Sequence, residues 1–290
     1  MNEIGYERHD RIAYITLNRP EAKNAVTPAM HEELCRIWTE FRDDDAADVA
    51  ILTGTGDAFC AGADLATYVP LNYVDASPRR VRDIVDVGFG GITRGLHRIT
   101  KPTIAAVNGW ALAGGLELAL ACDLRVASER AMFGSFEARR GFHHGDGGIT
   151  RLVNTCGVGV AMQMVLTAEP IDAQQALQCN MITKVVVHEH LLGEAEKLAG
   201  HILRNSQRAV RSAKETILDV IGRPLNDQLR IEGWNSYTCL DQTEARELLG
   251  SSSINRIEVV PDRSRPGFKL MANFGSASSA RRRLIEEKPP

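Results

Sequence analysis

The chain has 290 residues, 44% hydrophobic and 24% charged, with a formal net charge of −3. That balance excludes the broad basic field that nucleic acid or an anionic membrane attracts, and the length suits one large domain or one domain with an appendage. The amino terminus has no basic stretch followed by an apolar one, and no apolar run is expected to approach the roughly 18 residues of a membrane span. A cytoplasmic protein with no nucleic-acid or membrane partner is therefore expected.

In chain order, "RIAYITLNRP" (11–20) reads as a strand closing in a turn, and "PAMHEELCRIWTEFRDD" (28–44) as a helix with Met30, Leu34, Ile37, Trp38 and Phe41 on one face. "VAILTGTGDAFCAGADL" (49–65) is an apolar strand broken by glycines, and "ATYVPLNYVDASP" (66–78) reads as a loop. "RRVRDIVDVGFGGITRGLHRIT" (79–100) is read as helical despite its glycines, and "KPTIAAVNGWAL" (101–112) as a strand closed by Asn-Gly. A helix opens at "AGGLELALACD", short strands return in "LRVASERAMFGS" (124–135), and 148–168 is helical again. Strand and helix alternate, which predicts an α/β fold with parallel pairing. Beyond about residue 190 three helical patterns follow with no strand between them, so 1–190 is read as the core and 191–290 as a helical region with a tail. The Arg281–Arg283 run in that tail reads as a solvated segment.

Three segments can carry chemistry. Gly114 and Gly115 open a helix, where free N–H groups and the positive end of the dipole favour an anion, and Glu117 follows one turn on. The alternative for this segment alone is tight packing of the helix on a strand. The Ala-Gly-Ala-Asp turn of "FCAGADL" also follows a strand, so two backbone donors can be aimed at one oxygen. Glu137 precedes a glycine-rich turn, "HHGDGG", which contains Asp146. His143 and His144 read as loop or pocket-wall residues, and the six scattered cysteines as buried hydrophobes; no metal is expected.

With "LNRPEAKNAV" (17–26), the segments "AGADL", "KPTIAAVNGWALAGGLELALACD", "FGSFE" and "GDGGITRL" occur in an order that resembles the crotonase superfamily, the enoyl-CoA hydratases and isomerases, over roughly residues 4–250. The resemblance implies a crotonase-like spiral of ββα units and a carboxy-terminal helical region that builds trimers, commonly paired into hexamers. It implies that the N–H groups of Ala63 and Gly114 hold a thioester oxygen. Glu137 and Glu117 are implied to flank a water added across the double bond of a 2-enoyl-CoA, Glu137 as proton donor to the α-carbon and Glu117 orienting and deprotonating the water. Substrate contacts are implied at Lys23, Ala61, Asp64, Leu65, Tyr68, Lys101 and Gly145, with no cofactor beyond the coenzyme A of the substrate.

The chain departs from the family's Pro-Gly-Ala-Gly-Gly pattern at "HHGDGG", which is expected to place Asp146 at the acyl end of the pocket. Two alternatives stay open. One is an isomerase or carbon–carbon hydrolase that uses Asp146; the other is a non-catalytic scaffold that binds CoA esters or RNA.

Overall fold

The computed structural model describes residues 3–94 and 99–250. A hairpin of β1 (Ile4–His9) and β2 (Ile12–Leu17) leads through the Thr27-capped helix α1 (Pro28–Asp43) to β3 (Val49–Gly54) and β4 (Ala58–Cys60). Helix α2 (Pro78–Val87), β5 (Thr103–Val107), β6 (Trp110–Leu112), α3 (Gly114–Ala121), β7 (Leu124–Ser128) and β8 (Met132–Gly134) follow. The chain continues through α4 (Gly148–Thr167), β9 (Ile171–Asp172), α5 (Ala173–Gln178) and β10 (Lys184–Val186). It then runs through α6 (Leu191–Leu203), α7 (Gln207–Val220) and α8 (Leu225–Cys239). This compact unit ends at Leu240; α9 (Gln242–Gly250) lies in a second unit and starts with the Asp241 side chain accepting from the N–H groups of Thr243 and Glu244. The arginine run of the tail lies outside the described residues.

The spiral is visible in how strands are shared between two sheets. The larger sheet runs β1-β2-β3-β5-β7-β10 and the smaller β4-β6-β8-β9. Each pair β3/β4, β5/β6 and β7/β8 therefore gives its first strand to one sheet and its second to the other. All pairings from β2 to β10 in the larger sheet, and β4 to β8 in the smaller, are parallel, as the alternation of elements predicts.

Period-two patterning fills both faces of the larger sheet. Ala50, Leu52, Ala105 and Val107 join α1 in one apolar cluster, while Val49, Ile51, Ile104 and Ala106 pack under Leu191, Ala195 and Ala199 of α6. Helix α1 buries all five residues that its periodicity marks.

Two expectations change. The helix expected over 79–100 stops at Val87, because Gly88, Gly90 and Gly91 take left-handed φ values of 77°, 61° and 73° that deliver Phe89 inward. The loop expected over 66–78 contains a single π turn, Pro70–Val74. Among the described residues one helix, Gly148–Thr167, is by length and composition long and apolar enough to cross a membrane, with a non-helical Gly157 (φ 80°) inside it. Leu152, Ala161 and Met164 of this helix pack into the core.

Candidate active site

Parallel pairing of β4, β6 and β8 gathers the ends of three strands. The turn after β4 carries Ala61 and Ala63, that after β6 carries Ala113 and Gly114, and that after β8 carries Phe136 and Glu137; all six line one cavity of about 520 Å³. The first two turns touch closely. A Cβ built on Gly62 would sit 3.0 Å from the Gly114 nitrogen, and one on Gly115 would run into the Cys60 carbonyl, so only glycine lets α3 start this close to β4. Gly114 is the first residue of α3, where no carbonyl four residues earlier in a helix can take its N–H. A roomier cavity of about 760 Å³ runs along α7 and α8 but contains none of the predicted site residues.

The acids line the same cavity. Glu117 is buried; its Oε1 accepts from the N–H groups of Asp146 (2.8 Å) and Gly148 (2.9 Å), which places a carboxylate at the N-terminus of α4 where the dipole favours it. Glu137, in the 3₁₀ turn Glu137–Arg140, is buried too. Between them sits His144, whose side chain is 0% exposed: Nδ1 lies 2.6 Å from Glu137 Oε1 and 3.4 Å from Glu117 Oε1, and Nε2 lies 2.7 Å from Ser135 Oγ. Charge rather than alignment defines the 2.6 Å contact, since neither of its atoms has a hydrogen-bond partner of good geometry. Burial alone would lower the imidazole pKa; the Glu117 and Glu137 carboxyl groups beside it outweigh burial and raise it to about 9. Glu117, Glu137 and His144 also offer three ligand atoms within 4.8 Å of one another. An imidazolium has no free lone pair, so the ion pair and a metal are mutually exclusive occupants of this cluster.

The structure sorts the predicted site residues. Ala61, Ala63, Leu65, Gly114, Glu117, Glu137 and Gly145 line the cavity. Asp64 turns away: it pairs with Arg19 at 2.6 Å and accepts from the N–H groups of Ala66 and Thr67. Tyr68 is buried edge-on against Phe89 and His31, while Tyr73 reaches the cavity and stacks on Phe142. Lys23 pairs with the exposed Asp57. Lys101 does not face the cavity; its buried ammonium donates to the carbonyls of Phe41 and Asp44 at the end of α1, where cations are favoured.

Asp146 is the main correction. Its carboxylate accepts from the Phe89 N–H at 2.9 Å and the Thr93 hydroxyl at 3.3 Å, with Arg94 3.7 Å away, and it is buried outside the cavity lining. Burial and the charge of Glu117 push its pKa up, against the Phe89 N–H and Arg94. It braces the glycine-rich loop against the segment after α2, and the site-facing element of that loop is instead its neighbour His144. The sequence offered a signal for His144, a histidine where the family pattern has proline, but not its direction. His143 stands on the cavity wall, its Nδ1 at 2.7 Å from the His144 carbonyl, and Phe89, Phe136, Phe142, Arg139 and Arg140 complete a lining that the motifs did not announce.

The profile described as enoyl-CoA hydratase/isomerase matches residues 7–253. The chain is 36% identical over 246 residues to a crotonyl-CoA hydratase from Syntrophomonas wolfei, covering 83% of this chain and 91% of that one. It is also 36% identical over 218 residues to a short-chain-enoyl-CoA hydratase from Clostridium acetobutylicum, covering 75% and 81%. The crystal structure of an enoyl-CoA hydratase from Bacillus anthracis superposes with a TM-score of 0.76 at 34% identity, covering 86% of this chain and 95% of that one. With the two-sheet spiral and the paired turns, these likenesses show that the chain belongs to the enoyl-CoA hydratase/isomerase family.

Proposed function

We propose that this protein is a 2-enoyl-CoA hydratase, a lyase that adds water across the double bond conjugated to the thioester. The observation that carries the reading is the meeting of Glu117 and Glu137 in the one cavity that Ala63 and Gly114 also line. In this reading the thioester oxygen accepts from the N–H groups of Ala63 and Gly114. The positive end of α3 and the two donors stabilise the enolate that forms as the β-carbon is attacked. Glu117 takes a proton from water as its oxygen bonds the β-carbon, and Glu137 delivers a proton to the α-carbon. No cofactor beyond the substrate's coenzyme A is needed. Arg140 at the cavity rim is better placed than Lys101 to meet a CoA phosphate, and Leu65, Tyr73 and Phe142 bound the acyl side.

The reading includes assembly as a homotrimer or hexamer. Leu229 (58%), Trp234 (72%) and Tyr237 (85%) of α8 are exposed, and apolar side chains of this size favour a partner surface. Light scattering coupled to gel filtration checks this; a monomer at working concentration removes it.

Loss of the enoyl-thioester absorbance on adding the protein to crotonyl-CoA tests the activity. Hydration by wild type is expected, and its absence with crotonyl-CoA and with a medium-chain 2-enoyl-CoA would overturn the reading. Nothing in the site favours carbon–carbon cleavage by Asp146, whose carboxylate is engaged away from the cavity.

A further inference from the structure

The glycine-rich loop departs from the family pattern at one position whose side chain goes to the middle of the acid pair. His144 touches both acids through the same atom, Nδ1, and its other nitrogen is held by Ser135. We propose that His144 is a positioning residue, an imidazolium that holds the Glu117 and Glu137 carboxyl groups in register and makes them one three-group unit. This rests on the hydratase reading for its catalytic consequence, but not for its geometry.

The physical need is plain. Oxygens of the two buried carboxyl groups and the ring nitrogen all lie within 4.8 Å of one another, and a charge buried there is favoured only when it is paired. A cation in contact with both groups offsets the charge that either carries and fixes the orientation of both. The ring lies behind the acids and not on the cavity wall, so Glu137 and Glu117 remain open to substrate while His144 does not. The seat is built to fit: a Cβ on Gly148, the residue that starts α4, would collide with the imidazole. Burial of the ring, its two carboxylate contacts and its Ser135 contact together exclude a loop residue that points inward by default.

The charged and titratable groups around the ring are Glu117 from α3, Glu137 and Ser135 from the segment after β8, and His143 and Asp146 from its own loop. From further out come Arg151 of α4, which donates to the Asp146 and Thr93 carbonyls, and Arg94 beside Asp146. The arginines are turned to Asp146 and to backbone, leaving the two glutamate side chains as the acidic groups in contact with the ring.

The test combines spectroscopy on the folded wild type with kinetics of two variants. Nitrogen-15 spectra of labelled protein are expected to show one buried imidazolium that titrates near 9, and to show it losing its proton at lower pH in Glu137→Gln. A His144 that is neutral at neutral pH overturns the proposal, whether or not the protein hydrates enoyl-CoA. His144→Gln keeps polarity without charge, and His144→Leu keeps volume alone. Both are expected to lower kcat about ten- to a hundredfold with KM changed less than about threefold, the scale of misplaced catalytic groups. Wild-type kcat is expected to fall as pH rises through about 9, and that limb is expected to vanish in His144→Gln. A His144→Gln enzyme with the wild-type rate and the wild-type alkaline limb also overturns it. Wild type without hydration but with a buried imidazolium would sink the hydratase reading and leave the three-group unit standing.

Discussion

The two walls of the cavity are built by different means. The donor wall, from the turns after β4 and β6, is made of backbone: its contribution depends on how near two chain segments can come, and Gly62 and Gly115 set that distance by having no side chain. The acid wall, from α3 and residues 135–148, is made of side chains: His144 contacts Glu117, Glu137 and Ser135, and Glu117 borrows the N-terminus of α4. A backbone wall fails when something is added to it. A side-chain wall fails when one functional group is exchanged for another of the same size.

The largest effect is therefore expected from the acid wall. Glu137→Gln and Glu117→Gln should each lower kcat for crotonyl-CoA by about two to four orders of magnitude. Far-UV circular dichroism should be unchanged, because a glutamine oxygen can still accept from the Asp146 and Gly148 N–H groups that hold Glu117. Near-full activity in either variant would remove that residue from the chemistry.

Next comes the donor wall. Gly114→Pro deletes the N–H but also strains Ala113, at φ 52° and ψ −124°, and crowds Phe89, so turnover should fall at least about a hundredfold, with far-UV circular dichroism checking that the variant folds. Gly114→Ala keeps the N–H and crowds the Phe89 ring. It should cost less turnover than proline; equal losses would mean that crowding, not the donor, matters there.

A pH effect on stability distinguishes the walls without any substrate. His144 has its pKa raised from 6.5 to about 9, so its stabilisation is fully present below the lower value and is lost as pH rises through the upper one. Urea midpoints should decline across that window in wild type and decline less in His144→Gln. Parallel curves would show that the ion pair adds nothing to stability. The smallest effect is expected for Asp146→Asn, below about tenfold in kcat, since its carboxylate braces Phe89 and Thr93 outside the cavity. Abolished hydration would return Asp146 to the chemistry.

Much was legible in the sequence because it depends on local spacing. The α1 stripe follows from a period of 3.6, the buried strands from a period of 2, and the Gly-Gly opening of α3 from the steric freedom of glycine. The two glutamates and the turn after β4 were legible through motif order. The end of α2 was not, because three glycines there take left-handed conformations that helical spacing does not register.

What only the tertiary structure decided is direction. Within the loop 143–146, His143 faces the cavity, His144 turns in to the acids and Asp146 turns back to Phe89, although all three are polar and close in sequence. Lys101 likewise stands in a recognisable segment yet reaches the carbonyls that close α1. Sequence determines which charges are available and which segments form. A buried charge then settles on the partner that best offsets its desolvation, and those partners, Glu117 and Phe89 among them, come from distant turns of the spiral and become neighbours only when the sheets stack.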